Sequence, residues 1–173
     1  VTISNIELVD EFGTQVLINL AAAFDRGSEF TLTIADITDC SGNAIVSTDS
    51  NFFLGATPTA NEVIITEIMA NPSPTQGLPE VEYLEVYNAS GKILTLDGLT
   101  LSDLTGTTNL PAVTFASGEY ILLTSGGNVD EFSGIVVGGV SSFPSLNTSG
   151  DSIAIADATN NLIFDVVYDI DFY

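Results

Sequence analysis

The run Phe30-Thr31-Leu32-Thr33-Ile34 alternates apolar and polar side chains. A period of two is typical of a β-strand that buries one face. Near the C-terminus the same period predicts a strand whose buried face carries Leu162, Phe164, Val166 and Tyr168. No window has the 3.6-residue period of a helix, and clusters of Gly, Asn, Asp and Ser separate the short apolar runs. The sequence therefore predicts an all-β protein, and specifically a β-sandwich.

Basic residues are almost absent from the 173-residue chain, which has 2 Lys and Arg against 23 Asp and Glu and a formal net charge of −21. Binding to nucleic-acid phosphates or to an anionic membrane surface needs several basic side chains, so both functions are excluded. Because the chain has no His and 1 Cys, Ser–His–Asp and Cys–His catalysis, an internal disulfide and His-bearing zinc sites are excluded as well. Carboxylate chemistry and the binding of hard cations through oxygen stay open.

A small, polar, proline-bearing stretch at residues 55–61 separates two strand-rich blocks. Such a stretch is typical of a boundary between modules. We expect residues 1–57 to form a partial Ig-like β module, residues 58–61 a linker and residues 62–173 a complete sandwich, since a sandwich domain typically needs ~100 residues. The chain opens at Val1 without a signal-peptide pattern, which predicts a trimmed or processed fragment.

Six segments of the second block follow one another in a characteristic order. They are residues 65–72 (Ile-Thr-Glu-Ile-Met-Ala-Asn-Pro), 82–88, 96–103, 118–123, 146–153 and 165–168. In this order they resemble the bacterial lamin-tail domain over essentially all of residues 62–173. The resemblance implies an Ig-like β-sandwich that serves interaction and not catalysis. The sequence departs from the family pattern at Leu99, where many members have Trp.

The first block ends in residues 27–43 and Asn51-Phe52-Phe53. With its Asp-x-x-Gly-Asn turn after an alternating strand, this block resembles the C-terminal half of a bacterial Ig-like surface domain. The two resemblances together imply a secreted or cell-surface multidomain protein, in which such modules often stand beside hydrolases.

Glu67 and Glu85 are the most informative acidic residues. By strand parity Glu67 lies between Ile65 and Met69, and Glu85 lies between Tyr83 and Tyr87. If the two strands pair, the carboxylates become near neighbours. The pair is then either an acid/base or Ca²⁺ site, or a pair of glutamates on a solvent face that accept hydrogen bonds. The second interpretation is favoured, because structural networks often contain such groups.

Asp36, Asp39, Ser41 and Asn43 crowd one turn and offer several oxygen atoms. A Ca²⁺ site needs about six to eight oxygen ligands, and the spacing does not match an EF-hand. Because Asp, Asn and Gly are also ordinary turn residues, a plain turn is favoured, and Asp36, Asp39, Asn43, Glu67 and Glu85 are kept as weak metal candidates.

An acidic cluster follows Pro79 and contains Glu80, Glu82 and Glu85. With so few bases in the chain, these residues are expected to be solvated, and a role in binding a basic partner is the alternative. Cys40, the lone cysteine, has no neighbouring Lys or Arg in the sequence to activate it, so a small buried apolar role is favoured over a reactive thiol.

The sequence thus predicts a non-catalytic structural or interaction module of a secreted or cell-surface bacterial multidomain protein. Its partner is expected to be a protein or a cell-surface component, with no cofactor unless Ca²⁺ binds. The first alternative is an accessory carbohydrate- or Ca²⁺-binding module attached to a secreted hydrolase. The second is a hydrolase that uses two carboxylates about 5–9.5 Å apart across a cleft.

Overall fold

The structure is a computed structural model, and it describes residues 1–12, 14–39, 41–74 and 77–172. Apart from two short 3-10 segments, Gly126–Glu131 and Ile170–Phe172, its regular elements are β-strands. These are β1 Ile3–Leu8, β2 Val16–Leu20, β3 Ser28–Ile34, β4 Thr48–Leu54, β5 Val63–Met69, β6 Tyr83–Asn88, β7 Leu94–Thr95, β8 Thr100–Ser102, β9 Thr107–Asn109, β10 Thr114–Phe115, β11 Tyr120–Ser125, β12 Val137–Val140, β13 Gly150–Ala156 and β14 Leu162–Asp169. The prediction of an all-β chain is confirmed.

Two four-stranded sheets form the larger part of the molecule. The first has the strand order β5-β6-β11-β12, and only its β11–β12 pair is parallel. The second has the order β9-β8-β13-β14 and is antiparallel throughout. Their inner faces share one buried cluster, to which the first sheet contributes Leu84 and Ile121 and the second Leu101 and Ile153. This arrangement is the expected β-sandwich, in which alternate residues of each strand are removed from water.

Leu99 lies in this shared core and is fully buried. Its backbone N–H donates to the carbonyl of Leu96 at 3.1 Å, and its carbonyl accepts the N–H of Leu110 at 2.9 Å. Leu99, the residue that departs from the family pattern, therefore still fills an apolar position in the core.

Strand β14 differs from the alternation expected from the sequence. The register of β13 and β14 shifts between Ile155 and Ala156, which pair with Phe164 and Leu162. The extra residue, Ile163, is 2% exposed, whereas Leu162 is 51% exposed. The assignment of Leu162 to the buried face was wrong, because a β-bulge reverses the phase of the strand at this point.

The first 54 residues form two separate hairpins, β1–β2 and β3–β4. No described residue before Gly55 is buried. The apolar sides of the two hairpins line a common cavity of about 530 Å³, whose walls include Ile3, Ile18, Leu20, Phe24, Phe30 and Phe52. We call this cavity the hairpin groove. Phe24, Phe30 and Phe52 contact one another, with ring centroids 4.4–5.7 Å apart, so the groove has an aromatic wall.

The β3–β4 hairpin is joined to the sandwich by backbone hydrogen bonds. Ile93 donates to the carbonyl of Gly27 at 2.9 Å, and Ala56 donates to the carbonyl of Ile93 at 2.9 Å. Farther along, the N–H of Asn61 donates to the carbonyl of Ile163 at 2.7 Å. The connection between the two blocks therefore follows the surface of the sandwich. The domain boundaries expected from the sequence stay a prediction.

Candidate functional site

Glu67 and Glu85 are directly opposite each other on β5 and β6. Their strands pair, which is the condition under which the sequence made the two carboxylates near neighbours. The register shifts between Ile65 and Glu67, so Thr66 is an extra residue and the parity of β5 changes there. Ile65 packs against the core, while Glu67 is exposed. The bulge therefore places Glu67 beside Glu85 on the outer face of the first sheet.

Each of these carboxylates accepts a hydrogen bond from a neutral hydroxyl group. The hydroxyl of Tyr83 donates to Glu67 Oε1 at 2.6 Å, and the hydroxyl of Thr66 donates to Glu85 Oε1 at 2.7 Å. Burial raises the pKa of the Tyr83 hydroxyl, and the hydrogen bond to Glu67 raises it further. Tyr83 therefore stays a neutral donor at all ordinary pH values and holds Glu67 in place.

Two tyrosines continue the same face toward the other end of β6. Tyr87 is opposite Ile64 on β5 and opposite Tyr120 on β11. The two tyrosine rings are in contact, with centroids 4.7 Å apart and planes inclined at 39°. Tyr120 is 51% exposed, and Tyr87 is partly exposed. We call the surface formed by Ile64, Glu67, Glu85, Tyr87 and Tyr120 the tyrosine–glutamate face.

The remainder of the outer face is covered by the chain itself. Phe132, just after the 3-10 segment Gly126–Glu131, packs edge-on against Tyr83, with ring centroids 5.7 Å apart. Leu122 belongs to the same buried cluster, and Val137 packs against it. Phe132 and Val137 do not extend over Tyr120, so the tyrosine–glutamate face is the open part of the sheet.

The acidic cluster after Pro79 does not form one surface. Glu82 is partly buried and accepts the backbone N–H of Leu146 at 3.3 Å. Burial raises the pKa of its carboxyl, and the hydrogen bond from Leu146 opposes this only in part. Glu85 belongs to the sheet face and Glu80 is exposed. The structure therefore brings Glu85 together with Glu67 and separates it from Glu82.

Asp39 is the centre of a turn. Its Oδ1 accepts the N–H groups of Ser41 and Asn43, each at 2.8 Å, and its Oδ2 accepts the amide of Asn43 at 2.8 Å. These donors lower the pKa of the Asp39 carboxyl, and the largest contribution comes from the Asn43 side chain. Asp36, in the left-handed region at φ 57°, is exposed. Ca²⁺ binding by Asp36, Asp39 and Asn43 stays a prediction, and Cys40 lies outside the described residues.

The same turn occurs a second time, between β13 and β14. Asp157 Oδ1 accepts the N–H groups of Thr159 and Asn161 at 2.8 and 2.9 Å, and Asp157 Oδ2 accepts the Asn161 amide at 2.9 Å. The shared signal is an aspartate followed four residues later by an asparagine. This repeated spacing indicates that both aspartates are turn-forming residues.

The tyrosine pair was also missed. Tyr87 and Tyr120 are 33 residues apart in the sequence, and their contact depends on the register of β6 and β11. Only a prediction of that register could have revealed it. In residues 1–12, 14–39, 41–74 and 77–172, no group of three or more His, Cys, Asp or Glu side chains is placed to hold a metal ion.

The fold and this face together define an Ig-like β-sandwich whose most distinctive site is an open sheet surface. The comparison with protein families agrees, because the model of the Lamin Tail Domain matches residues 56–169. The chain therefore belongs to the lamin tail domain family, as its resemblance implied. Lamin tail domains are Ig-like domains that are generally non-catalytic and take part in interactions. No curated protein matches the chain.

In the part of the chain that the structure describes, no helix has the length and apolar character needed to cross a membrane.

Proposed function

We propose that this chain is a non-catalytic structural or interaction module of a secreted or cell-surface bacterial multidomain protein. The observation that carries the proposal is the uncovered apolar surface of the two N-terminal hairpins. Ile6 and Leu8 are 59% and 67% exposed on the side of β1 that also bears Ile3. Contiguous exposed apolar patches of this kind mark interaction sites on soluble proteins.

The hairpins also need further contacts for energetic reasons. An isolated two-stranded hairpin is only marginally stable in water, and a third strand or a packing partner is normally required. Among the described residues, β1 pairs with β2 and β3 with β4, and neither pair extends into a larger sheet. A partner that covers the hairpin groove would remove Phe24, Phe30 and Ile18 from water, which favours association.

The geometry of the carboxylates supports a role other than catalysis. Glycoside hydrolysis by two carboxylates requires the groups to flank the scissile bond, about 5–9.5 Å apart across a cleft. Glu67 and Glu85 are instead neighbours on one open sheet face, and each accepts a hydroxyl hydrogen bond. This arrangement suits recognition of a ligand surface better than attack on a substrate.

The proposal is tested by binding to intact bacterial cells and to purified cell-wall sacculi. We expect saturable retention of the protein without release of soluble wall fragments. Replacing Ile6 and Leu8 together by Ser should weaken retention about tenfold or more, because each apolar side chain contributes ~1.5–3 kcal/mol when buried. Leu17→Ser is the matched control, since Leu17 lies on the opposite face of the same hairpin.

Circular dichroism of the three proteins shows whether each variant keeps its β structure. Equal weakening by Leu17→Ser, or no retention of the unmodified protein on either material, contradicts the proposed surface. Release of wall fragments that stops on replacing Glu67 or Glu85 by Gln contradicts the non-catalytic role.

The second candidate function is an accessory carbohydrate- or Ca²⁺-binding module attached to a secreted hydrolase. The contact between Tyr87 and Tyr120 favours it, because exposed aromatic rings provide stacking surfaces for sugar rings. A catalytic domain encoded next to this module in the full-length gene would support this candidate. Binding of soluble wall glycans that is lost in Tyr120→Leu is the direct test.

A further inference from the structure

We propose that the tyrosine–glutamate face binds an arginine-bearing segment of a partner protein. The proposal goes beyond the proposed function, because it concerns a different surface from the hairpin groove and stands or fails independently of it. Two neighbouring rows of side chains form the face. One row contains Ile64, Tyr87 and Tyr120, and the next contains Glu67 and Glu85. Glu85 and Tyr87 are two residues apart on β6. A strand rises ~3.3 Å per residue, so the two rows are about 7 Å apart and within reach of one extended side chain.

The chain offers no basic side chain of its own to this face. It has two, Arg26 and Lys92. Arg26 Nη1 donates to the carbonyl of Gly55 at 3.2 Å, and Lys92 Nζ pairs with Glu62 Oε1 at 2.7 Å. The hydrogen-bond partners of Glu67 and Glu85 are neutral hydroxyls. Any positive group that compensates the negative charge of these two adjacent carboxylates must therefore come from outside the chain.

The combination of groups fits a guanidinium better than other ligands. A guanidinium stacks on aromatic rings and forms paired hydrogen bonds with a carboxylate, whereas an ammonium acts as a compact point charge. A Ca²⁺ ion needs about six to eight oxygen ligands, more than the two carboxylates here supply. A second copy of this chain would bring another charge of −21, which repels at close approach.

The charge of the whole chain favours the same partner. A net charge of −21 attracts basic proteins over a distance of about 10 Å at moderate ionic strength. This long-range attraction is not specific. The tyrosine–glutamate face supplies the specific contacts, because ring stacking and paired hydrogen bonds require the guanidinium to take one position between Tyr120 and Glu85.

The experiment measures the binding of two short labelled peptides to the full chain by fluorescence anisotropy. In one peptide arginine alternates with threonine, and in the other lysine replaces each arginine. We expect saturable binding of the arginine peptide with a lower Kd than the lysine peptide. Tyr120→Leu and Glu85→Gln should each raise the Kd for the arginine peptide about fivefold or more, as expected for the loss of one cation–π or charge-assisted contact.

Matched controls separate specific binding from general attraction between charges. Asp165→Asn makes the same change of charge as Glu85→Gln, on an exposed position of the second sheet, and should leave the Kd within twofold. Tyr120→Phe keeps the ring and should bind as the unmodified chain does. Gln at position 85 retains an oxygen that can accept the Thr66 hydroxyl, so this variant tests the proposal even if Tyr120→Leu does not fold.

Three results would overturn the proposal. The first is equal weakening by Asp165→Asn and Glu85→Gln, which would show attraction by net charge alone. The second is equal affinity for the arginine and lysine peptides in every variant. The third is a Tyr120-dependent affinity for wall glycans together with no saturable binding of the arginine peptide, which would assign the face to carbohydrate.

Discussion

Single aspartate side chains stabilise several turns of this chain by accepting hydrogen bonds. Asp10, Asp39, Asp103 and Asp157 each accept at least one backbone N–H from a residue two to five positions later. These donors satisfy the charged carboxylate and replace the backbone partners that a turn lacks. This acidic chain has two basic side chains. Backbone N–H groups therefore satisfy carboxylates that basic side chains would pair with in other proteins.

Asp157 provides a test of this role by pH. Its hydrogen bonds, above all the one from the Asn161 side chain, lower the pKa of its carboxyl from the ordinary 3.8 to about 2. A lowered pKa in the folded state means that the stabilising effect is fully present above pH 3.8 and is lost as the pH falls through 2. We expect Asp157→Asn to have a lower melting temperature than the unmodified chain at neutral pH.

The difference between the two melting temperatures should shrink as the pH is lowered toward 2, since Asn has no proton to gain. Thermal unfolding followed by circular dichroism at several pH values measures this difference. A difference that is the same at pH 7 and near pH 2 contradicts the assignment of the effect to the ionised carboxylate.

The sequence made the proximity of Glu67 and Glu85 conditional on the pairing of their strands, and strand parity correctly grouped Glu85 with Tyr83 and Tyr87. Parity was wrong for Ile65 and Glu67, because the bulge at Thr66 puts them on opposite faces of β5. The contact between Tyr87 and Tyr120 was not predictable, because it depends on a register between strands that are distant in sequence. The bulges at Thr66 and Ile163 were missed for a related reason. A bulge changes which face a residue occupies without changing the local composition of the strand.

At the scale of elements, the β3–β4 hairpin approaches the sandwich through a position that requires glycine. A Cβ atom added at Gly55 would lie 2.7 Å from Thr95 Cβ and 2.9 Å from the backbone of Leu94. The backbone of Leu94 cannot move aside without breaking the pairing of β7 with β10. Gly55→Ala should therefore lower the free energy of unfolding by ~1–3 kcal/mol. Chemical denaturation of the full chain measures the loss.

Gly91→Ala is the matched control for this prediction. A Cβ atom at Gly91 would meet nothing within 4 Å, so its effect should stay within about 0.5 kcal/mol. Equal stability of the two variants would show that residue 55 and β7 move apart readily in solution.

The sequence predicted the strands of the N-terminal block but not how they are covered. Alternation in Phe30-Thr31-Leu32-Thr33-Ile34 indicates one apolar face, and Phe30 and Leu32 of that face line the hairpin groove. Periodicity shows which residues avoid water, but it does not show what packs on them. The sandwich was more predictable, because six ordered segments indicate the whole fold and the family match covers residues 56–169.

At the scale of the whole molecule, the net charge of −21 acts against folding. The compact state brings the carboxylates together, and the two basic side chains compensate few of them. Raising the NaCl concentration from near zero to ~0.5 M shortens the screening length to a few ångströms. We therefore expect the melting temperature to rise, by about 2–4 °C for each 1 kcal/mol of relieved repulsion.

Differential scanning calorimetry at several NaCl concentrations measures this effect. An uncharged osmolyte such as sucrose is the control, because it stabilises by exclusion from the surface and leaves repulsion between charges unscreened. A melting temperature that does not change with NaCl would show that the carboxylates are too well solvated to repel one another appreciably.

The scarcity of bases also leaves the chain with a single side-chain amine that a dye can label. Lys92 is its one lysine, its side chain is 45% exposed, and its Cβ lies close to Gly27 at the start of the β3–β4 hairpin. A dye attached at this amine would report directly on the joint between the hairpins and the sandwich. A composition with one lysine therefore also provides a defined side-chain position for a fluorescent reporter.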